Sequence, residues 1–222
     1  MRLHLITTPN ERTVPFNYQQ KLVGTLHKWM GKDNDEHGRM SLYSFSWLHN
    51  GKISNDGFVF QEGARWFVSF YSDEVLRRLI GGIQEDPEMF DGLVVTDVSI
   101  ENTPDLSHRS YFFLGSPVLI KERDSLTGNI KQYTFKDEIA AVLMTNTLRH
   151  KMKIAGVDED ESLNIRFDLN YANKRTKFLS YRGIGNRASL CPIIIEGTPE
   201  TKEFAWNVGI GNSTGVGFGS IY

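Results

Sequence analysis

The order in which strand and helix signals follow one another narrows the fold of this chain more than any other feature. Apolar residues alternate along the strand segments and recur every three to four residues along the helical ones. The first half has strand signals at 2–8, 42–49, 65–71 and 93–100, with a further short one near 57–61. It has two helix signals, one at 14–30 and one that begins after Ser72 and ends at Gly81-Gly82. The order is strand, helix, strand, strand, helix, strand, which is typical of a ferredoxin-like unit.

The second half repeats this plan after a polar segment at 102–105. Its signals are strands at 111–121, 130–135, 162–169, 176–182 and 188–196, a helix at 137–153, a short helix at 199–208 capped by Thr198 and Pro199, and a last strand ending at Tyr222. The halves share this order but no sequence identity. We therefore predict an α+β protein of two tandem ferredoxin-like (RRM-like) domains, 1–105 and 106–222.

Composition and cysteine use narrow the class of protein. Forty per cent apolar and 23% charged residues over 222 positions exclude a disordered or fibrous chain. The single cysteine, Cys191, cannot form an intrachain disulfide, and its place at the start of an apolar strand favours a buried thiol over a nucleophile. The N-terminus lacks the apolar core of a signal peptide, and no apolar run approaches the roughly 20 residues of a membrane span. We expect a soluble cytoplasmic protein, a monomer or homodimer, with no membrane partner.

The formal net charge of -2 by itself argues against a nucleic-acid partner, but it averages two unlike halves. Residues 1–105 carry 10 Lys and Arg against 15 Asp and Glu, whereas residues 106–222 carry 15 against 12. The second half is therefore net basic, and the total charge does not exclude RNA.

One stretch of the second half concentrates this positive charge. Between Asn170 and Ile195 there is no acidic residue, and the cations are Lys174, Arg175, Lys177, Arg182 and Arg187. Aromatic residues interleave with them, and a glycine-rich turn near 183–186 predicts a hairpin. Such a hairpin would grip phosphates and stack on a base, so we predict these five cations as RNA-binding residues. The alternative is a solvated strand face.

The end of the chain is rich in glycine. Five of the eleven residues from 209 to 219 are glycine: Gly209, Gly211, Gly215, Gly217 and Gly219. A dinucleotide-binding loop needs a strand before it and a helix after it, and here a helix precedes the loop. A phosphate-binding Walker loop lacks its Gly-Lys-Ser/Thr. Two interpretations stay open: a bare backbone that a phosphate chain approaches, or a helix cap with a tight turn.

The spacing of these glycines carries a family resemblance. Gly209-Ile-Gly211 and Gly217-Phe-Gly219, five residues apart, resemble the C-terminal signature of the CRISPR-associated RAMP superfamily. The segment 14–19, Val-Pro-Phe-Asn-Tyr-Gln, leads a helix with Leu22 and Gly24 and resembles the start of the repeat-RNA-processing endoribonuclease of CRISPR systems, the sixth Cas protein family. The resemblance spans both ends of the chain, while the middle matches in the order of its strands and helices. It implies that the five glycines contact RNA.

The resemblance also implies a reaction, a partner and a site. The ribose 2′-hydroxyl of the repeat in precursor CRISPR RNA attacks the adjacent phosphate, giving a 2′,3′-cyclic phosphate without a metal or other cofactor. Histidines transfer the protons and a cation stabilises the phosphate. His27 on the first helix and His37 in the following loop match positions where the family has catalytic residues, and Arg39 falls near a lysine position. We predict these three as catalytic residues, with His49 as a replacement for either histidine.

Other hypotheses about the function of this chain remain. A zinc site is disfavoured because His27, His37 and His49 lack the short paired spacings of such sites and no cysteine is nearby. A non-catalytic RNA-binding RAMP subunit of a CRISPR effector complex would share the fold and the glycine loop. A ferredoxin-like domain with no RNA role would show no salt-dependent affinity for RNA. Effector-complex subunits are further candidate partners.

Overall fold

The computed structural model describes residues 1–31 and 40–222, and its first half has the predicted element order. The elements are β1 (Arg2–Thr7), β2 (Val14–Pro15), α1 (Gln19–Met30), β3 (Tyr43–Phe45), β4 (Lys52–Ser54), β5 (Gly57–Val59), β6 (Arg65–Phe70), α2 (Asp73–Glu85) and β7 (Val95–Glu101). An antiparallel sheet has the order β3-β6-β1-β7. The four principal strands of this half are β1, β3, β6 and β7 in chain order. The sheet therefore places the second strand beside the third, the third beside the first and the first beside the fourth, as in a ferredoxin-like fold. The helices cover one face, and their buried leucines join those of β1 in one core.

The start of α1 differs from the sequence prediction. The helix begins at Gln19 rather than near Val14, because Val14 and Pro15 pair as a short strand with β5. Gly57 permits this close pairing, since a Cβ there would lie 2.0 Å from the carbonyl oxygen of Val14. Proline tolerates an edge strand, where its missing N–H costs no ladder hydrogen bond.

The end of α2 also differs, because the helix runs through Gly81 and Gly82 to Glu85. A Cβ on Gly82 would lie 2.2 Å from the backbone oxygen of Trp29, so this glycine lets α1 and α2 approach closely. Glycine weakens a helix by only about 1 kcal/mol, which tertiary packing offsets. Gly82 marks a helix contact, and the glycine pair does not terminate the helix.

The second half contains a ferredoxin-like sheet and an additional sheet. The elements are β8 (Tyr111–Phe112), β9 (Val118–Arg123), β10 (Ile130–Tyr133), α3 (Ala140–Ala155), β11 (Asn164–Phe167), β12 (Arg175–Tyr181), β13 (Ile184–Leu190), β14 (Ile193–Glu196), α4 (Pro199–Val208) and a 3₁₀ turn (Thr214–Val216). The order β11-β14-β8 continues through a bridge between Leu114 and Ile221 and so repeats that of the first half. The additional sheet has the order β10-β9-β13-β12 and carries the basic hairpin.

Two predicted strands of the second half are divided, and others are shorter. The segment 111–121 divides into β8 and β9 because 113–116 pairs with 220–222: Phe113 N–H donates to Tyr222 O and Gly115 N–H to Ser220 O. The segment 188–196 divides into β13 and β14, which belong to different sheets. The last predicted strand is reduced to the bridge at Ile221. The fold is nevertheless the predicted α+β architecture with tandem ferredoxin-like units. The boundary at 102–105 falls between β7 and β8, and the division into domains 1–105 and 106–222 stays a prediction.

Arg2 joins the two halves. Its Nε donates to Ser69 Oγ at 2.7 Å, and its Nη2 donates to the carbonyls of Ile221 and Trp206 at 2.6 and 3.3 Å. The guanidinium lies between the rings of Phe67 and Trp206, 4.1 and 3.6 Å from their centroids. Five donors on a planar group suit arginine to such a buried junction.

Candidate functional site

A groove of about 530 Å³ lies between the two halves of the chain. The first half contributes the segments 16–19 and 47–49, and the second half contributes 114–117 and β12. Arg175 and Lys177 are the cations that line it, together with His49. The groove therefore combines positive charge, aromatic surface and one imidazole.

The glycine-rich loop is held against the first half by hydrogen bonds to three successive carbonyls. Tyr43 Oη donates to Gly215 O at 3.3 Å, and Trp47 Nε1 donates to Gly217 O at 2.9 Å. The side-chain amide of Gln19, at the start of α1, donates to Val216 O between them. The loop thus connects α1 and the groove residue Trp47 to the second half.

Close packing explains why glycine occupies this loop. A Cβ on Gly215 would lie 2.1 Å from Ser41 Oγ, and one on Gly217 would lie 2.8 Å from the ring of Phe45. Gly209, Gly211, Gly217 and Gly219 have φ between 67° and 87°, which disfavours other residues. The N–H groups of Gly209, Gly217 and Gly219 already donate to carbonyls of the chain. All five glycines are buried, and their assignment to RNA binding stays a prediction.

The five cations of the basic stretch do not share one face. Arg175 and Lys177 are two positions apart on β12 and therefore lie on the same side of the strand. Lys177 Nζ lies 5.4 Å from the ring centroid of Trp47. Arg187 pairs opposite Phe178 and therefore lies on the other side of the hairpin. Lys174 donates to Tyr171 O at 3.3 Å, and Arg182, at the turn, lies over the ring of Tyr181. Two of the five face the groove.

The predicted catalytic residues are only partly covered by the structure. His27 is half-buried on the last turn of α1 and follows Gln19 and Val23 at four-residue spacing along one side of the helix. Eight residues of helix span about 12 Å, which separates His27 from the contact between Gln19 and the glycine loop. His37 and Arg39 lie outside the described residues.

His49 occupies a junction between two cavities. It lines the groove and also a second cavity of about 680 Å³, whose walls include Arg65, Arg109 and Phe67. Its backbone pairs with that of Arg65 through N–O contacts of 2.8 and 3.2 Å. Desolvation lowers the pKa of His49, which favours the neutral imidazole near pH 7 and suits a proton acceptor.

Sequence reasoning missed Trp47 and Gln19 as parts of the site. The sequence predicts Trp47 only as part of the strand at 42–49, and Gln19 only as part of the helix start at 14–19. Their partners, Gly217 and Val216, are 170 and 197 positions away. Nothing in the local sequence predicts such pairs.

Across 1–31 and 40–222, no three or more His, Cys, Asp or Glu side chains cluster where a metal ion could bind. Among the helices of these ranges, none is both long and apolar enough to cross a bilayer.

The C-terminal part of the chain matches a family model. The match covers residues 101–222 and is to the C-terminal part of the CRISPR-associated protein Cas6. The chain belongs to the Cas6 family. This confirms the family resemblance that the glycine signature predicted.

Solved structures of Cas6-type proteins share the fold over the whole chain. A Cas6-related protein from Pyrococcus furiosus has a TM-score of 0.83 at 18% identity, with 100% of this chain and 97% of that one covered. An RAMP protein that binds different RNA substrates has a TM-score of 0.86 at 18% identity, covering 100% and 98%. A Cas6 product complex has a TM-score of 0.68 at 11% identity, covering 100% and 99%. Among curated protein sequences, none matches this chain.

Proposed function

We propose that this chain is an endoribonuclease that cleaves the repeat of precursor CRISPR RNA without a metal ion. Membership of the Cas6 family and the likeness to a Cas6 product complex support RNA processing at the level of the family. The observation that carries the proposal for this chain is the groove between its halves. There the two cations of β12 and His49 lie beside Trp47, which the glycine loop holds.

The reaction is a transfer of the phosphodiester bond within the RNA. The 2′-oxygen attacks phosphorus, the bond from phosphorus to the 5′-oxygen breaks, and the products are a 2′,3′-cyclic phosphate and a 5′-hydroxyl. A base accepts the proton of the 2′-hydroxyl, and an acid donates a proton to the leaving 5′-oxygen. We assign these roles to His27 and His37, and the stabilisation of the charged phosphate to Arg39.

His49 is the alternative to either histidine. Its lowered pKa supports the neutral form that accepts a proton, and it reaches both the groove and the second cavity. Arg175 and Lys177 would then bind phosphates of the strand in the groove. Such contacts release counterions, so affinity should fall steeply with salt.

The test is cleavage of the cognate repeat RNA in the presence of EDTA. We expect one cut per repeat with a 2′,3′-cyclic phosphate on the upstream product. Replacing His27 or His37 by Ala should lower the rate by roughly 10²-fold or more. His108→Ala, at an exposed position remote in sequence from these histidines, is the matched control. If the wild-type protein binds the repeat but never cuts it, the proposal is wrong.

The alternative is a non-catalytic RNA-binding subunit of a CRISPR effector complex. The observation favouring it is the TM-score of 0.86 to an RAMP protein that binds different RNA substrates. Tight, salt-dependent binding without cleavage would select this function. Association with effector-complex subunits, and a monomeric or homodimeric state, stay predictions.

A further inference from the structure

Lys151 is a buried lysine beneath the glycine loop. It lies on α3 in the second half, and 2% of its surface is exposed. Its Nζ lies 3.1 Å from Val208 O, 3.4 Å from Gly209 O and 3.0 Å from Thr214 Oγ1. The first two acceptors are carbonyls at the C-terminal end of α4, where the helix dipole favours a cation.

All three acceptors of Lys151 are neutral. The ion pairs found in the described part of the chain do not include Lys151. Burial lowers its pKa to about 7, because a charge is costly away from water without a counterion. An apolar side chain of similar length would avoid that cost. Stability alone therefore does not account for a lysine at this position.

The contact with Thr214 connects Lys151 to the groove. Thr214 begins the 3₁₀ turn, and its carbonyl accepts the N–H of Gly217. The next three carbonyls of this turn, Gly215 to Gly217, are those that receive Tyr43, Gln19 and Trp47 from the first half. The turn thus accepts hydrogen bonds from both halves: from Lys151 of the second half, and from three side chains of the first half.

We propose that Lys151 is a positioning residue that sets the Thr214–Gly217 turn and, through it, the placement of α1 and Trp47 relative to the basic strand β12. This inference rests on the proposed function, because its kinetic consequence is a change in RNA cleavage. His27 lies on α1 and Lys177 on β12, so a shift of the turn would move proton-transfer and phosphate-binding groups apart. A displacement of about 1 Å costs up to roughly 10²-fold in rate.

The experiment compares four variants in single-turnover cleavage, RNA binding and thermal unfolding. Lys151→Met removes the amino group, and Thr214→Val removes its hydroxyl acceptor at nearly constant shape. Thr214→Ser keeps the hydroxyl, and Lys153→Met removes an exposed cation from the same helix. We expect Lys151→Met and Thr214→Val to lower the single-turnover rate by roughly 10-fold or more. RNA affinity should change far less, and both controls should cleave like the wild type.

Hydrogen exchange separates this inference from the proposed function. In Lys151→Met, residues 214–217 should lose protection while β11 and β14 keep theirs, as expected for a local and not a global opening. Unchanged exchange in this turn would overturn the inference, whether or not the protein cleaves RNA. If Lys151→Met does not fold, Thr214→Val decides: cleavage and exchange equal to those of Thr214→Ser would overturn it. Absence of cleavage by the wild type contradicts the proposed function alone.

Discussion

The indole N–H of Trp47 donates to the carbonyl of Gly217 across 2.9 Å and 170 positions of sequence. The same ring lies 5.4 Å from the Nζ of Lys177. One side chain of the first half therefore contacts two features of the second half, the glycine loop and the basic strand. Trp47 also lines the groove between the halves.

Trp47→Phe should weaken RNA cleavage more than it weakens the fold. Phenylalanine keeps the aromatic contact with Lys177 but leaves the carbonyl of Gly217 without this donor, a loss of about 1 kcal/mol in stability. Trp29→Phe is the matched control, because its indole donates to Asp86 O on the side of α1 opposite His27. Unfolding in denaturant and single-turnover cleavage measure the two effects. Equal cleavage by both variants would contradict the role given to Trp47.

Lys177→Gln should reduce RNA affinity more than Arg187→Gln does. Lys177 lies on the side of β12 that faces the groove, whereas Arg187 lies on the opposite side of the hairpin. Loss of one phosphate contact should lower the slope of log affinity against log salt by about one. Fluorescence anisotropy with repeat RNA at several salt concentrations measures this slope. If the Arg187 variant shows the larger change, the RNA follows the other face.

Gly82→Ala and Gly81→Ala should have opposite effects on stability. A Cβ at position 82 would overlap the backbone oxygen of Trp29, whereas one at position 81 meets no atom within 4 Å. We expect Gly82→Ala to cost roughly 1–3 kcal/mol through overpacking. Gly81→Ala should add roughly 0.5–1 kcal/mol because alanine is the better helix former. Chemical denaturation of both variants tests the pair, and a stabilised Gly82 variant would contradict the close helix contact.

Lys151→Met should gain stability over the wild type as the pH is lowered from 10 towards 7. The pKa of Lys151 falls from 10.5 to about 7 on folding, so in this range the unfolded chain binds a proton that the folded chain does not. Wild-type stability therefore decreases as pH falls through this range, while the variant lacks this dependence. Free energies of unfolding at pH 7 and pH 9.5 give the comparison. Other titrating groups cancel between the proteins, so a pH-independent difference would show that Lys151 is not desolvated.

The sequence by itself determined the order of the elements, the start of α4 and the glycine signature of the family. Thr198 and Pro199 predicted the start of α4, and the structure has this helix at Pro199–Val208 with Thr198 accepting from Thr201 N–H. The glycine spacing predicted the family, which the family model confirms. These features depend on propensities, caps and spacings within a few residues, which local sequence contains.

The tertiary structure decided which neighbours each segment has. Only the packing of α2 on α1 shows that Gly82 is a contact and not a helix end, and only the strand register shows that Lys177 and Arg187 lie on opposite sides. Lys151, which lies between the cations Arg149 and Lys153 in the sequence, is buried against the glycine loop. Such facts depend on contacts between segments that are separate in sequence, from the two strands of one hairpin to Lys151 and Thr214, 63 positions apart. The free energy of those contacts comes from burial and hydrogen bonds that form only once the segments have packed together, so no local pattern contains them.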